Sequence, residues 1–300
     1  MKKYIPTLLC LVAAMIWGFA FTAQKAAAEL SAFTVGASRN LFATIFLFSI
    51  IPIFDKINKK VGNPRKCKQI FTKTELVGGT ICGIILTAAS AFQQTGIGDG
   101  TDAGKAAFIT ALYVVLVPII SLLLGKKTPL NVWLSVGIAA VGFYLLCIKG
   151  DFTIEPSDGL VLICALIFAM HIIAIDRFSP KCDGVRMSCV QFFVSFILNL
   201  FMAFIFEMPI NFVAIGSALP SLLFLGIGSS GIAYTLQILA QKDGDPTVVS
   251  VVMSLESVFG VLGGVIFLGE IMSPKEYIGC AIVFAAVILS QLDFKKSSKS

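Results

Sequence analysis

The side chains that could do chemistry in this chain are few and lie inside long apolar stretches. Glu256 stands in VVMSLESVFG, His171 in FAMHIIAI and Arg39 in VGASRNLF. A charge at the centre of an apolar membrane helix costs on the order of 2.5 to 3.5 kcal/mol, so each group should face a cavity, pair or be neutral. Glu256 is therefore a candidate proton carrier or counter-ion for a cationic solute. Its alternative role is a structural hydrogen bond to another helix.

Arg39 and His171 each have two interpretations. The long stem of Arg39 could carry its guanidinium to the membrane interface, or the group could pair with an acid or bind a substrate carboxylate. His171 is the only histidine, and a lone histidine in a membrane is more typical of a neutral hydrogen-bonded group than of a proton relay. A single histidine and cysteines without ligand spacing predict no metal, no cofactor and no catalytic residues.

Five neutral polar or amphipathic side chains within the apolar stretches are further candidates for a binding site. Each could contact a substrate, and each could instead make a hydrogen bond between helices. With Glu256, Arg39 and His171 they make up the predicted substrate-binding or coupling set. The five are Trp17, Gln94, Tyr113, Tyr234 and Gln237.

The segment GDGTDAGKAA, residues 98–107, looks at first sight like a phosphate-binding loop. Such a loop has four residues between its first glycine and the Gly-Lys pair, with Ser or Thr after the lysine. Here the gap from Gly100 is three, and Ala106 follows Lys105. We interpret the segment as a turn between two helices, and we expect Lys105 at the membrane interface near the two aspartates of the same loop.

Membrane-spanning helices must position these side chains. The chain is 57% hydrophobic and 13% charged, whereas a soluble domain carries about 25% charged residues. Apolar runs near the length of about 20 residues that crosses the hydrocarbon core recur throughout the chain. Ten spans are predicted, at 5–24, 33–54, 76–95, 104–124, 131–149, 158–178, 185–206, 217–240, 246–268 and 275–292.

The basic residues predict the orientation of these spans, because cytoplasmic loops retain Lys and Arg. With the N-terminus inside, 18 of the 23 basic residues lie on the cytoplasmic side, four lie on the other side, and Arg39 lies within a span. Both termini are then cytoplasmic. Topology thus accounts for most of the basic residues behind the +6 net charge, and no nucleic-acid partner is predicted.

The sequence also contains an internal repeat. LVAAMIWGFAFTAQK (11–25) pairs with LICALIFAMHIIAIDR (162–177), and residues 91–113 pair with residues 234–256 at an offset that aligns Tyr113 with Glu256. Spans one to five would recur as spans six to ten. Since five is odd, the second half crosses the membrane in the opposite sense, which is the inverted repeat of many secondary transporters.

Four segments carry a resemblance to a known family: AAMIWGFAFTAQK, AFQQTGIG, GKAAFITALYVVLVP and SLESVFGVLGGVIFLGE. Together they resemble the drug/metabolite transporter superfamily, EamA-type, and the resemblance extends from about 5 to 292. It implies two five-helix halves, transport without ATP hydrolysis, and a central cavity lined mainly by helices one, three, four, six, eight and nine. Ser257 stands where that family often has proline, so the resemblance does not by itself imply a kink after Glu256.

The predicted fold is an all-α integral membrane protein with ten transmembrane helices in two inverted five-helix repeats, residues 1–150 and 151–300, and both termini cytoplasmic. The predicted function is a secondary transporter in the cell (inner or plasma) membrane, not an enzyme. It would export a small polar or amphipathic metabolite, such as an amino acid, an amine, or a nucleoside-like or drug-like solute, by alternating access. Its predicted partners are that small-molecule substrate, the lipid bilayer and a proton or counter-solute.

Two other classes remain as alternatives. A passive channel or facilitator would need a continuous polar lining, whereas most spans contain only isolated polar residues. A membrane-embedded enzyme would need a nucleophile, an acid–base pair or a metal set clustered at one depth, and one histidine with one deep carboxylate does not supply it.

Overall fold

The computed structural model describes residues 4–60, 69–147, 155–268 and 273–292. The regular elements in these ranges are all helical. A π-helical segment, Phe224–Ala233, connects α10 to α11, and a short 3₁₀ turn, Ser179–Lys181, follows α7. The α-helices in chain order are α1 (Ile5–Ala26), α2 (Ala32–Lys60), α3 (Lys73–Gly98), α4 (Ala103–Ala111), α5 (Tyr113–Leu123), α6 (Leu130–Cys147), α7 (Pro156–Phe178), α8 (Gly184–Phe206), α9 (Phe212–Ser217), α10 (Leu219–Leu223), α11 (Tyr234–Gln241), α12 (Pro246–Met253), α13 (Glu256–Leu268) and α14 (Pro274–Ser290).

Within the described residues, eight helical stretches are long and apolar enough to cross a membrane. Two further apolar stretches are shorter than the length required of these eight. One is Leu130–Leu145 in α6, and the other is α14, which has 17 residues. Large apolar side chains face outward, as lipid contact requires; Phe201, for example, is 61% exposed. The chain is therefore a multi-pass helical membrane protein, while the count of ten spans and the side of the termini stay predictions. The eight are Ile5–Ala26, Ala32–Lys60, Lys73–Gly98, Ala103–Leu123, Pro156–Lys181, Gly184–Phe206, Leu219–Gln241 and Pro246–Ile266.

Local sequence explains where several helices begin. Thr72 and Glu75 form a capping box at the start of α3, where the Glu75 carboxylate accepts from the Thr72 N–H at 2.7 Å. Ser273 and Glu276 form the same motif at the start of α14. Proline occupies the first turn of α1, α7, α12 and α14, where its missing N–H leaves no helical bond unmade.

Two spans are interrupted at corresponding places. Leu112 separates α4 from α5, and Ser254 and Leu255 separate α12 from α13. Leu112 and Ser254 have nearly the same backbone angles, φ −61° and ψ −12° against φ −63° and ψ −11°. At each break a backbone N–H bonds three residues back instead of four, at 3.2 Å. The first residues after the two breaks are Tyr113 and Glu256, the pair that the sequence repeat aligns.

Helix packing is consistent with a two-fold relation between the halves. α2 packs along α8, and α6 packs along α14, so each of these pairs joins the equivalent helices of the two halves. α3 packs on α7, while α1 packs on the π-helical segment and α11, which is the same contact with the halves exchanged. We therefore propose the division into residues 1–150 and 151–300, which this packing supports.

α1 lies against the second break at very short range. A Cβ atom at Gly18 would be 2.4 Å from Phe259 Cβ and 2.7 Å from the backbone oxygen of Glu256. A glycine is therefore required where α1 crosses α13, because any side chain would push the helices apart. This crossing places the Glu256 end of α13 directly beside α1.

Two exposed loop positions test the predicted orientation. Asp99 is exposed after α3, and Lys127 is exposed after α5. We expect Asp99→Cys to react with a membrane-impermeant maleimide added to intact cells, and Lys127→Cys to react only after permeabilisation. Both variants are made in a background without the eight native cysteines. The reverse pattern would contradict the orientation predicted from the basic residues.

Candidate functional site

A cavity in the middle of the bundle is lined by seven of the eight residues predicted for the site: Trp17, Arg39, Tyr113, His171, Tyr234, Gln237 and Glu256. Its volume, counted for the centre of a water molecule, is about 40 Å³, enough for a few waters. The cavity is therefore small in this conformation. The lining residues that the sequence did not indicate are Ala20, Phe21, Gln24, Ser90, Gln93, Thr110, Phe168, Ile172, Ser229 and Met253.

Gln94 is the predicted site residue that does not line the cavity. Its side-chain amide donates to the backbone oxygen of Gln24 at 3.4 Å, whereas its neighbour Gln93 faces the cavity. Gln93 accepts from the Gln24 amide and donates to Thr110 Oγ1, both at 3.0 Å. Adjacent helical residues point about 100° apart, so one position along α3 separates a cavity amide from a packing amide. The sequence signal that could have identified Gln93 was its position next to Gln94.

Glu256 lines the cavity at the start of α13. It is 5% exposed, and its Oε1 has no hydrogen-bond partner. The hydroxyl of Tyr113, another lining residue, also lacks a hydrogen bond of ordinary geometry. The free N–H groups at the start of a helix favour negative charge, so α13 supports a carboxylate at this position. The unsatisfied oxygen can accept a proton or a cationic group.

Arg39 points inward from α2. It is 7% exposed, and its Nε and Nη2 donate to Ser230 Oγ and Ser229 Oγ at 3.0 Å each. Its recorded partners within the described residues are these two neutral hydroxyls, and no carboxylate there lies within ion-pair distance. The interpretation that Arg39 reaches the membrane interface is therefore wrong. A buried guanidinium with only neutral partners favours binding of an anionic group.

An aromatic cluster forms one wall of the cavity around Tyr234. The ring centroid of Tyr234 lies 4.7 Å from that of Trp17, 5.5 Å from that of Phe192 and 5.8 Å from that of His171, all with edge-to-face geometry. Trp17 Nε1 also donates to the backbone oxygen of Ser229 at 3.3 Å, in the π-helical segment. Such rings provide apolar surface and can contact a cation through their faces.

His171 is completely buried in α7. Its Nε2 lies 3.1 Å from Gln191 Oε1, and its Nδ1 has no partner. This geometry fits a histidine that one hydrogen-bond contact holds at the edge of the cavity. Gln237, from α11, also lines the cavity with an unpartnered Oε1. In the described ranges no cluster of His, Cys, Asp and Glu could hold a metal ion.

Comparisons with known proteins match this architecture. The family described as "EamA-like transporter family" matches residues 5–148 and again residues 156–292. A protein of Archaeoglobus fulgidus named "uncharacterized transporter" is 30% identical over 296 residues, covering 97% of this chain and 87% of that protein. A crystal structure of a protein with 18% identity covers 98% of this chain and 99% of its own, with a TM-score of 0.77. That structure shares the fold.

Proposed function

This chain belongs to the EamA-like transporter family, and we propose that it is a secondary transporter for a small dipolar solute. The proposal places it in the cell membrane, where it exports its substrate by alternating access between two conformations. The two matches of one family along the chain and the packing between its halves support an inverted repeat. Such a repeat provides two related conformations, one open to each side.

The observation that carries the proposed substrate class is a pair of opposite charges in one cavity. Arg39 and Glu256 both line the cavity, yet the structure records no ion pair between them. A charge buried without a partner is costly. A solute with an anionic end at Arg39 and a cationic end at Glu256 would compensate both charges at once, as an amino acid zwitterion can.

The aromatic wall supports an amphipathic body between those two ends. Tyr234 and Trp17 present ring surface to the cavity, where an apolar group can pack and an ammonium group can contact a ring face. Because the cavity has room for only a few waters in this conformation, the bundle must widen to admit a substrate of this kind.

Glu256 also suggests how transport is driven. Either a substrate ammonium or a proton can neutralise its carboxylate, so the two would compete for one position. A carrier loaded with substrate would then move in one direction and return with a proton. This exchange would couple export of the substrate to proton entry.

Thermal shift of the detergent-purified protein tests the substrate class, because a ligand that binds only the folded state raises its apparent stability. We expect phenylalanine, which carries both charges, to raise the melting temperature more than phenethylamine or 3-phenylpropanoate, which each carry one. Nucleosides and sugar nucleotides complete the panel. A larger shift with either singly charged analogue, or with a sugar nucleotide, would contradict a dipolar substrate.

A further inference from the structure

A small polar cluster fastens the loop between α3 and α4 to the start of α7. We call it the outer latch; it consists of Thr101, Lys105 and Asp158. Lys105 Nζ lies 2.5 Å from Asp158 Oδ2, and Thr101 Oγ1 donates to Asp158 Oδ1 at 3.1 Å. Thr101 and Asp158 are buried. The recorded ion pair of Lys105 is thus with an aspartate of another span.

Close backbone packing surrounds the outer latch. A Cβ atom at Gly96 would lie 2.6 Å from Val161 Cγ2 and 2.9 Å from the backbone oxygen of Ser157. Gly100 has φ +124°, a value that favours glycine, and it turns the chain from α3 toward α4. α3 and α7 therefore meet without a gap at the end of the bundle that the basic residues predict to be the outer end.

The internal repeat places a second copy of this junction at the opposite end of the bundle. α1 and α7 begin at equivalent residues, and so do α4 and α12. The same alignment of helix starts identifies the counterpart of each latch residue. The counterparts of Asp158, Thr101 and Lys105 are Thr7, Gly244 and Val248, respectively.

The counterpart junction has no ion pair between its three positions. Thr7, Gly244 and Val248 all line a cavity of about 160 Å³ at the predicted cytoplasmic end. Neither Gly244 nor Val248 has a side chain that can form a hydrogen bond, and Thr7 Oγ1 donates instead to Gln291 Oε1 at 3.1 Å. The two junctions related by the repeat therefore differ, since an ion pair fastens one of them and none joins the counterpart residues of the other.

The cytoplasmic cavity lies close to the central one along α1 and α12. Val252 of α12 lines the cytoplasmic cavity, and the next residue, Met253, lines the central cavity. On α1, Cys10 lines the first cavity and Trp17 the second, two helical turns apart. A short packed layer thus separates the central cavity from the cytoplasmic end.

We propose that the outer latch is the gate that closes the central cavity to the outer side. In the opposite conformation Lys105 and Asp158 separate, and the counterpart junction at Thr7 closes. This assignment rests on the proposed transport function. The ion pair at the outer junction, which the three counterpart positions cannot form, favours the conformation that is closed to the outer side.

Access to the central cavity from outside tests the outer latch. Ser90 lines that cavity, so a Ser90→Cys reporter in a background without the eight native cysteines can be labelled by an impermeant thiol reagent in right-side-out vesicles. We expect Lys105→Gln and Asp158→Asn each to raise the labelling rate about tenfold, because loss of either charge shifts the two-state equilibrium. Lys105→Gln leaves intact the bond from the Glu155 N–H to Asp158 Oδ2, so it decides the test if Asp158→Asn does not fold.

Lys126→Gln is the matched control. Lys126 pairs with Asp176 at the predicted cytoplasmic end, and we expect its loss to leave outward labelling unchanged. Unchanged labelling in folded Lys105→Gln protein would overturn the outer latch, as would an equal rise in Lys126→Gln or a rise confined to inside-out vesicles. The labelling uses no substrate, so its result is independent of the thermal-shift test of the transport proposal. Either test can fail while the other succeeds.

Discussion

We expect Glu256→Gln to weaken binding and transport of the zwitterionic probe by roughly 100-fold, the scale of losing one partner of a buried charge pair. Glutamine keeps the shape of the side chain but can neither pair with an ammonium group nor exchange a proton. Transport should also lose its dependence on pH if Glu256 carries the coupling proton. Radiolabelled phenylalanine exchange in proteoliposomes, measured across a pH series, gives both results.

Stability separates this functional role from a structural one. Wild-type Glu256 is buried with an unsatisfied Oε1, so removing its charge should leave the melting temperature equal or higher. Asp99→Asn removes an exposed carboxylate and controls for the change in net charge. Wild-type exchange by Glu256→Gln at every pH, or a large loss of stability, would assign Glu256 to helix packing.

We expect Arg39→Gln to weaken phenylalanine binding by roughly 10- to 100-fold while changing phenethylamine binding little, since only phenylalanine carries a carboxylate for the guanidinium. Arg39 donates to Ser229 and Ser230, which hold it at the cavity wall. Dissociation constants for phenylalanine and phenethylamine, measured on the same purified variant, show whether the affinity for phenylalanine falls more than that for phenethylamine. 3-Phenylpropanoate should follow phenylalanine.

Arg39→Lys is the matched control for this prediction. Lysine keeps the positive charge but loses the planar fork of donors, so we expect it to recover part of the phenylalanine affinity. An equal loss for phenylalanine and phenethylamine in Arg39→Gln would contradict a carboxylate contact. It would show instead that Arg39 acts by holding the π-helical segment in place through the two serines.

The helical membrane class followed from local composition. In hydrocarbon every backbone polar group must bond within its own segment, so an apolar run of sufficient length has to be a helix. The spans predicted at 5–24 and 185–206 correspond to α1 (Ile5–Ala26) and α8 (Gly184–Phe206). Family membership likewise followed from short segments spread over the chain, and the comparisons confirmed it.

The interruptions inside spans were not predictable in the same way. The span predicted at 217–240 contains α10, the π-helical segment Phe224–Ala233 and α11. Polar partners from α1 and α2 contact that segment, because Trp17 and Arg39 bond Ser229 there. The break before Glu256 occurs without a proline. Interruptions of this kind depend on side chains from neighbouring helices, and the hydropathy of a single segment does not describe those neighbours.

Sequence alone determined that this protein is a helical membrane protein of a transporter family, and it singled out seven of the 17 residues that line the central cavity. Only the tertiary structure decided that Arg39 turns inward, that Gln93 rather than Gln94 faces the cavity, and that Lys105 pairs with Asp158. The reason is that apolar length is a property of one segment. The direction of a side chain depends on helix rotation and on partners as distant as the 190 positions between Arg39 and Ser229.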